Sequence, residues 1–493
     1  VALYVPAVLA YGAPRPLGSR GPIRIIGDAE FTPENGVISG SGTFVDPYVI
    51  GGWTIETSGE PAIEIIGTTA FFTISDCVLK AVGNVAIRLE NVQNCQGIIR
   101  CQIEDSHIGV ELVGCSGLTI GTGTTIQHCD IGVHVRDCGP MVFINHIYML
   151  SCADYGILID GTNTECHMTE LFIWDVGRGV ANEGTIDSLS ITSSIMGDAF
   201  MGAVLTGVES MVLMSNCTIY ETESDGILLT AGNCLIEGCV VADAGEAGIH
   251  VDNIPSGGIV SNEFVRCTVG VLVAESSGFN IGYNIIKDNN VGVLLENTDD
   301  SFVGLNDFIN NYVHGRDTTG ANTWYAPERG KGNYWSGHTS PDTNGDGIVD
   351  VPYTGDGFTD PKPLVEPVSF DLDNEGPTIS DLEFSPSAPS PEQEVKVSVN
   401  VVDEEAGVVE VVLEYSTGAG LIEVLMVPIL PSDAHEPMSF FAHIPPQPAG
   451  TVVTFRIRAR DAYGNESESA EQSYTVGGAR GGGGPSPPPG PGP

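Results

Sequence analysis

The chain has 493 residues, 64 of them Asp or Glu against 19 Lys or Arg, for a net charge of −45. Such a surface repels nucleic acid and anionic membranes, and repels polyanionic glycans unless Ca²⁺ bridges them. No run of about eighteen apolar residues occurs, so no direct membrane insertion is expected.

Residues 1–21 open with "VALYVPAVLAYGA", apolar and ending in small residues, which reads as the remnant of a leader or as an N-terminal arm. From residue 22 to 315 a repeat governs. Gly109, Gly132, Gly156, Gly179, Gly202, Gly226, Gly248, Gly270 and Gly292 follow one another at 22 to 24 residues, with Ala62, Ala86 and His314 extending the series. Each repeat holds short alternating apolar strands separated by polar turns, as in "IGVELVGCSGLTI" and "VGVLLENTDDSFVGL". Segments this short with period two are strands, not helices. The fold class is therefore all-β: a right-handed parallel β-helix of the pectin-lyase type, of about twelve coils. Coils stacked ~4.8 Å apart make a rod of roughly 50 Å. A leucine-rich repeat would need a helix per repeat, and none is readable.

Asn262, Asn284 and Asn306 stand eight residues before successive repeat positions and form a candidate amide ladder. Cys77, Cys101, Cys217 and Cys239 fill the same place in earlier coils. All twelve cysteines lie between Cys77 and Cys267. Cys77/Cys101, Cys115/Cys138, Cys129/Cys152 and Cys217/Cys239 are one coil apart, as either disulfides or stacked buried thiols. Asp130, Asp154 and Glu246 sit two residues before a repeat glycine, and Asp225 and Arg178 one before. Asp130, Asp154, Asp225 and Glu246 are the candidate catalytic carboxylates, an acidic stripe of the kind glycosidases draw on. The alternative is ordinary solvated acids at turns.

The period fails after His314. Residues 316–370 are expected to cap the open end, with Trp324, Tyr334 and Trp335 on the last coil. Within them "PDTNGDGIVDVPY", residues 341–353, spaces acids as a Ca²⁺ loop does. Asp342, Asn344 and Asp346 would ligate through side chains, Ile348 through its carbonyl, and Asp350 directly or through water. An EF-hand needs Glu at the position of Tyr353, so a truncated structural calcium loop is expected, with Asp356 or Asp360 supplying the missing carboxylate. The alternative is an Asp/Asn/Gly turn held by its own hydrogen bonds.

"GNYWSG", "DTNGDGIVDVPY" and "DPKPL" together resemble the end signature of NosD-like β-helix proteins, and "NGVISGSGTFVDPYVIGGWTI" (35–55) is similar to the N-terminal lead-in of that group. The resemblance covers about residues 22–365. It implies the β-helix fold and suggests copper, since the family is periplasmic and linked to copper insertion into nitrous oxide reductase. His107, His128 and the triplet Cys166, His167, Met168 are the soft-ligand candidates, but neither group has chelate spacing.

Residues 371–476 alternate as a β-sandwich, and "FRIRARDAYGNES" resembles a strand ending of bacterial Ig-like and fibronectin-III-like modules. Asp371, Asp373 and Glu375 read as solvated linker charge, or as sharing a calcium with Asp461. Residues 477–493 are a Gly/Pro-rich linker tail, with an anchor beyond it in prospect. The expected protein is secreted or on the cell surface (periplasmic in a Gram-negative cell), non-catalytic, and presents a long face to a polysaccharide or surface matrix. The alternatives are a polysaccharide lyase, hydrolase or epimerase working along the groove, and a NosD-like copper-handling factor.

Overall fold

A Cβ added at Gly109 would lie 2.6 Å from the carbonyl oxygen of Gly132, and one at Gly156 2.6 Å from that of Gly179. The repeat glycine is thus where one coil presses directly on the next, and only a hydrogen fits between them. The computed structural model describes residues 16–368, 375–403, 408–418, 420–429, 438–461 and 465–477. It divides into two units, residues 9–373 and a second from residue 374.

The first unit is a parallel β-helix. Thirteen strands, from Ile23–Ile26 to Val313–Asp317, pair in parallel register along one face. Twelve of them fall within the glycine series, as its count requires. The thirteenth precedes it, and Gly18–Ser19, within the segment expected as leader or arm, already pairs with Trp53–Ser58. Residues 1–15 of that segment and 478–493 of the tail lie outside the described residues.

The coil turns at corners held by residues at left-handed φ. Asp76, Arg100, His146, Glu170 and Asn216 line one such column, all near +50°. Asp and Asn adopt this conformation at little cost; Arg100 is compensated by two bonds to Asp76, at 2.8 and 2.7 Å. The residue after the corner points inward and bonds the carbonyl two residues before it. Ser194 does so at 2.9 Å, Thr298 at 3.1 Å and Cys101 at 3.5 Å. Nine of the twelve cysteines occupy this position. All twelve are free and buried. Burial pushes Cys95, Cys129, Cys234 and Cys267 up to about 12, which makes them packing groups and not reactive thiols.

Asn does the same corner work with two partners. Asn284 Oδ1 accepts from the backbone N–H of Asn262 at 2.9 Å, and Asn284 Nδ2 donates to Ile259 O at 2.8 Å. The ladder runs on through Asn306 to Asn333 and ends on the buried carboxylate of Asp360. A second ladder, Asn289 and Asn311, stands at the next corner.

The end of the rod is closed by rings. Trp335 stacks between Phe308 of the last coil (4.3 Å) and Tyr353 (4.1 Å), and Trp324 stacks on Phe358 at 3.6 Å. Both Trp are 1% exposed. Tyr334, expected beside them, is only half-buried; Tyr353 takes that place.

The second unit pairs a four-stranded antiparallel sheet with a five-stranded one. Val395, Val397, Val399 and Val401 face Leu413, Phe455 and Ile457 in one core. Asp461 is fully buried and accepts from Asn465 N at 2.8 Å and Nδ2 at 2.7 Å. Its carboxylate is thus engaged by Asn465; Asp371 and Asp373 lie outside the described residues.

Candidate functional site

Four or five residues before each repeat glycine the chain turns a corner, and there a second stack forms. Asp105, His128, Ser151, Asp175, Asp198, Glu221 and Asp243 succeed one another on neighbouring coils, all at left-handed φ. A parallel row stands two or three residues further on: His107, Asp130, Asp154, Gly177, Phe200, Ser224 and Glu246. Between the rows lies a floor of smaller residues, among them Ser106, Cys129, Ala199 and Ala244. The result is an acid-walled trough along the rod, with two recesses of about 520 and 350 Å³.

The first recess holds two His–Asp contacts. His107 Nδ1 lies 2.6 Å from Asp130 Oδ2, and His128 Nδ1 lies 3.8 Å from Asp105 Oδ1. Lys80 also reaches Asp105. The second recess is walled by Asp175, Asp198, Glu223 and Phe200, the last 46% exposed. Ser151 Oγ donates to Asp175 at 2.6 Å. Burial, and then the charges of Asp175 and Glu223, hold the Asp198 carboxyl above the usual carboxylate range.

The expected acidic stripe is broken up. Asp130 and Asp154 are neighbours, but Gly177, Phe200 and Ser224 separate them from Glu246, whose carboxylate accepts from Ser224 Oγ at 2.8 Å. Asp225 is buried on the adjoining strand face, accepting from Ala247 N at 2.9 Å and facing His250 Nδ1 at 3.2 Å. That bond raises the His250 pKa. Arg178 is held by Tyr155 and Glu183 on the same face. Asp175, Asp198 and Glu223 were missed because they stand outside the one or two positions before the repeat glycine: Asp175 and Asp198 lie four before it and Glu223 three.

Of the soft-ligand candidates, His107 and His128 line the first recess together, but the triplet does not converge. Cys166 and Met168 point into the core, each 1% exposed, and His167 points out to Glu165 and Ser190, because successive strand residues face opposite ways. Among the described residues no group of three or more His, Cys, Asp or Glu is placed to hold a metal ion.

In the 342–350 loop the carboxylates meet their own backbone. Asp342 accepts from Gly345 N at 2.7 Å and Gly347 N at 2.9 Å. Asp346 accepts from Ile348 N at 2.9 Å, Asn344 Oδ1 from Asp346 N at 3.0 Å, and Asp350 from Thr343 at 2.9 and 2.6 Å. As folded, these side-chain oxygens accept hydrogen bonds from the loop's own backbone and from Thr343. Neither expected extra ligand is at hand: Asp356 pairs with Arg316 at 2.7 Å, and Asp360 is buried beneath Asn333 and Trp335.

Residues 143–340 match the family model described as periplasmic copper-binding protein (NosD). The β-helix is NosD-like. No curated protein matches the sequence. Among solved structures, tailspike protein 2 of Escherichia coli O157:H7 bacteriophage CAB120 aligns over 86% of this chain at 12% identity, with a TM-score of 0.34. This chain spans 64% of that tailspike's length. The periplasmic alginate epimerase AlgG aligns over 62% of this chain and 84% of its own, at 12% identity and a TM-score of 0.33. Likeness at this level says nothing about the chemistry of the trough.

Proposed function

We propose that the chain is an extracytoplasmic, non-catalytic β-helix that binds a neutral or amino-sugar polysaccharide lengthwise in the corner trough. The observation that carries this reading is the pair of rows flanking the second recess. Asp175, Asp198 and Glu223 offer acceptors to hydroxyl or ammonium groups, and exposed Phe200 offers a face to a sugar ring. An extended sugar chain advances by about one ring for each coil step of ~4.8 Å, so the rows repeat in step with the ligand. The walls are acidic, so uronate polymers are excluded. The NosD match, whose family is described as periplasmic, supports placement outside the cytoplasm.

The test is co-sedimentation with neutral, amino-sugar and uronate polymers, with reducing and unsaturated ends assayed in the same tubes. Retention of the first two without new ends is expected, with Phe200→Ala weakening it on the order of tenfold. No retention of any polymer would sink the proposal. New ends would favour the enzyme reading, which one observation supports: burial makes Asp198 keep a proton more readily than an ordinary carboxylate, as a general acid must.

A further inference from the structure

Three of the cysteine pairs differ from the other six thiols. Cys77 and Cys101, Cys115 and Cys138, and Cys217 and Cys239 each occupy the same inward corner position on successive coils. The stacking is direct: Gln102 N donates to Cys77 O at 2.8 Å, Gly139 N to Cys115 O at 2.8 Å, and Val240 N to Cys217 O at 2.9 Å. In each pair the two thiols lie close enough for each to move the other's pKa. Cys101 Sγ also reaches back to Ile74 O, and Cys138 Sγ to Leu112 O, both on the preceding coil. Cys129 and Cys152 share a corner column too, but the thiol of Cys129 acts on that of Cys152 through charge alone. Cys95, Cys166, Cys234 and Cys267 have no such partner.

A coil step of ~4.8 Å lies within the Cα separation that disulfides span, about 4.4–6.8 Å. A bridge here would tie one full coil to the next. It would form as the coils stack, while the thiols are still open to exchange. We propose that under oxidising conditions the β-helix carries three inter-coil disulfides, Cys77–Cys101, Cys115–Cys138 and Cys217–Cys239, with the other six cysteines left as thiols.

The co-reactant is a small disulfide. One thiolate attacks it and expels a thiolate; the second cysteine then attacks the mixed disulfide, so two thiols are oxidised and one disulfide is reduced to two thiols. The test is to refold the full chain in reduced and oxidised glutathione, alkylate under denaturation without reductant, and map the peptides. Six alkylated cysteines and the three named links are expected. Twelve alkylated cysteines, or any other pairing (Cys129–Cys152 included), would overturn the proposal. Cys101→Ser guards against misfolding as an explanation. It should free Cys77 alone and leave the other two links, with the far-ultraviolet spectrum unchanged.

Discussion

Single residues in this rod do work that repeats from coil to coil. Asn284 satisfies a buried backbone N–H on one side and a buried carbonyl on the other. Asn284→Ala leaves both unpaired in a dry interior. The expected loss is about 2–4 kcal/mol in urea unfolding. A change below half a kcal/mol would mean that water enters the corner. The ladder was legible because Asn recurs at a constant offset from the glycine. Its last steps, Asn333 and Asp360, were not, because the cap breaks the period and only the fold brings them under Asn306. The corner carboxylates were harder to see: Asp105, Asp175 and Asp198 stand four residues before a glycine, but His128 and Ser151 interrupt the series, and Glu221 and Asp243 stand five before.

At the scale of the element, the cap explains the calcium-like loop. Tyr353 stands where an EF-hand would carry its last Glu, and it is a ring in the stack that closes the rod. Tyr353→Glu restores the motif on paper and removes that ring. It is expected to destabilise by about 2–4 kcal/mol in thermal or urea unfolding, with no gain in calcium affinity by calorimetry. Calcium in the native loop is a proposal supported by the alternation of Asp342, Asn344, Asp346 and Asp350; the lone pairs left on their oxygens could serve an ion after the loop opens. A melting temperature higher in Ca²⁺ than in EGTA, with the difference lost in Asp346→Ala, is the expected outcome. An unchanged melting temperature would leave the loop as a self-bonded turn. The copper triplet fails at this same scale, since strand alternation sends Cys166 and Met168 inward and His167 outward.

Across the whole molecule, a charge of −45 opposes compaction. Local pairing offsets part of it: Arg24, Glu64, Arg88 and Glu111 alternate up one face with contacts of 2.6, 3.9 and 3.0 Å. These pairs are few beside the excess of acids. The urea midpoint should therefore rise as sodium chloride increases from about 0.02 to 0.5 M, as screening relieves the repulsion. A falling midpoint would show that the ladder of pairs outweighs the net charge.

The sequence by itself determined the coil, its count to within one, and its parallel stacking. A β-helix is a local rule repeated: each repeat must bury the same face on the next, so the rule is written at every glycine. It also determined the sandwich, whose strands Val395–Val402 and Val452–Asp461 alternate throughout. What only the tertiary structure decided were contacts between different registers. Trp335 meets Phe308 and Tyr353 across a non-repeating cap, and two corner rows five or more columns of side chains long become the walls of one trough. The cap rings share no fixed spacing along the chain, and nothing but the closed coil sets the two rows side by side.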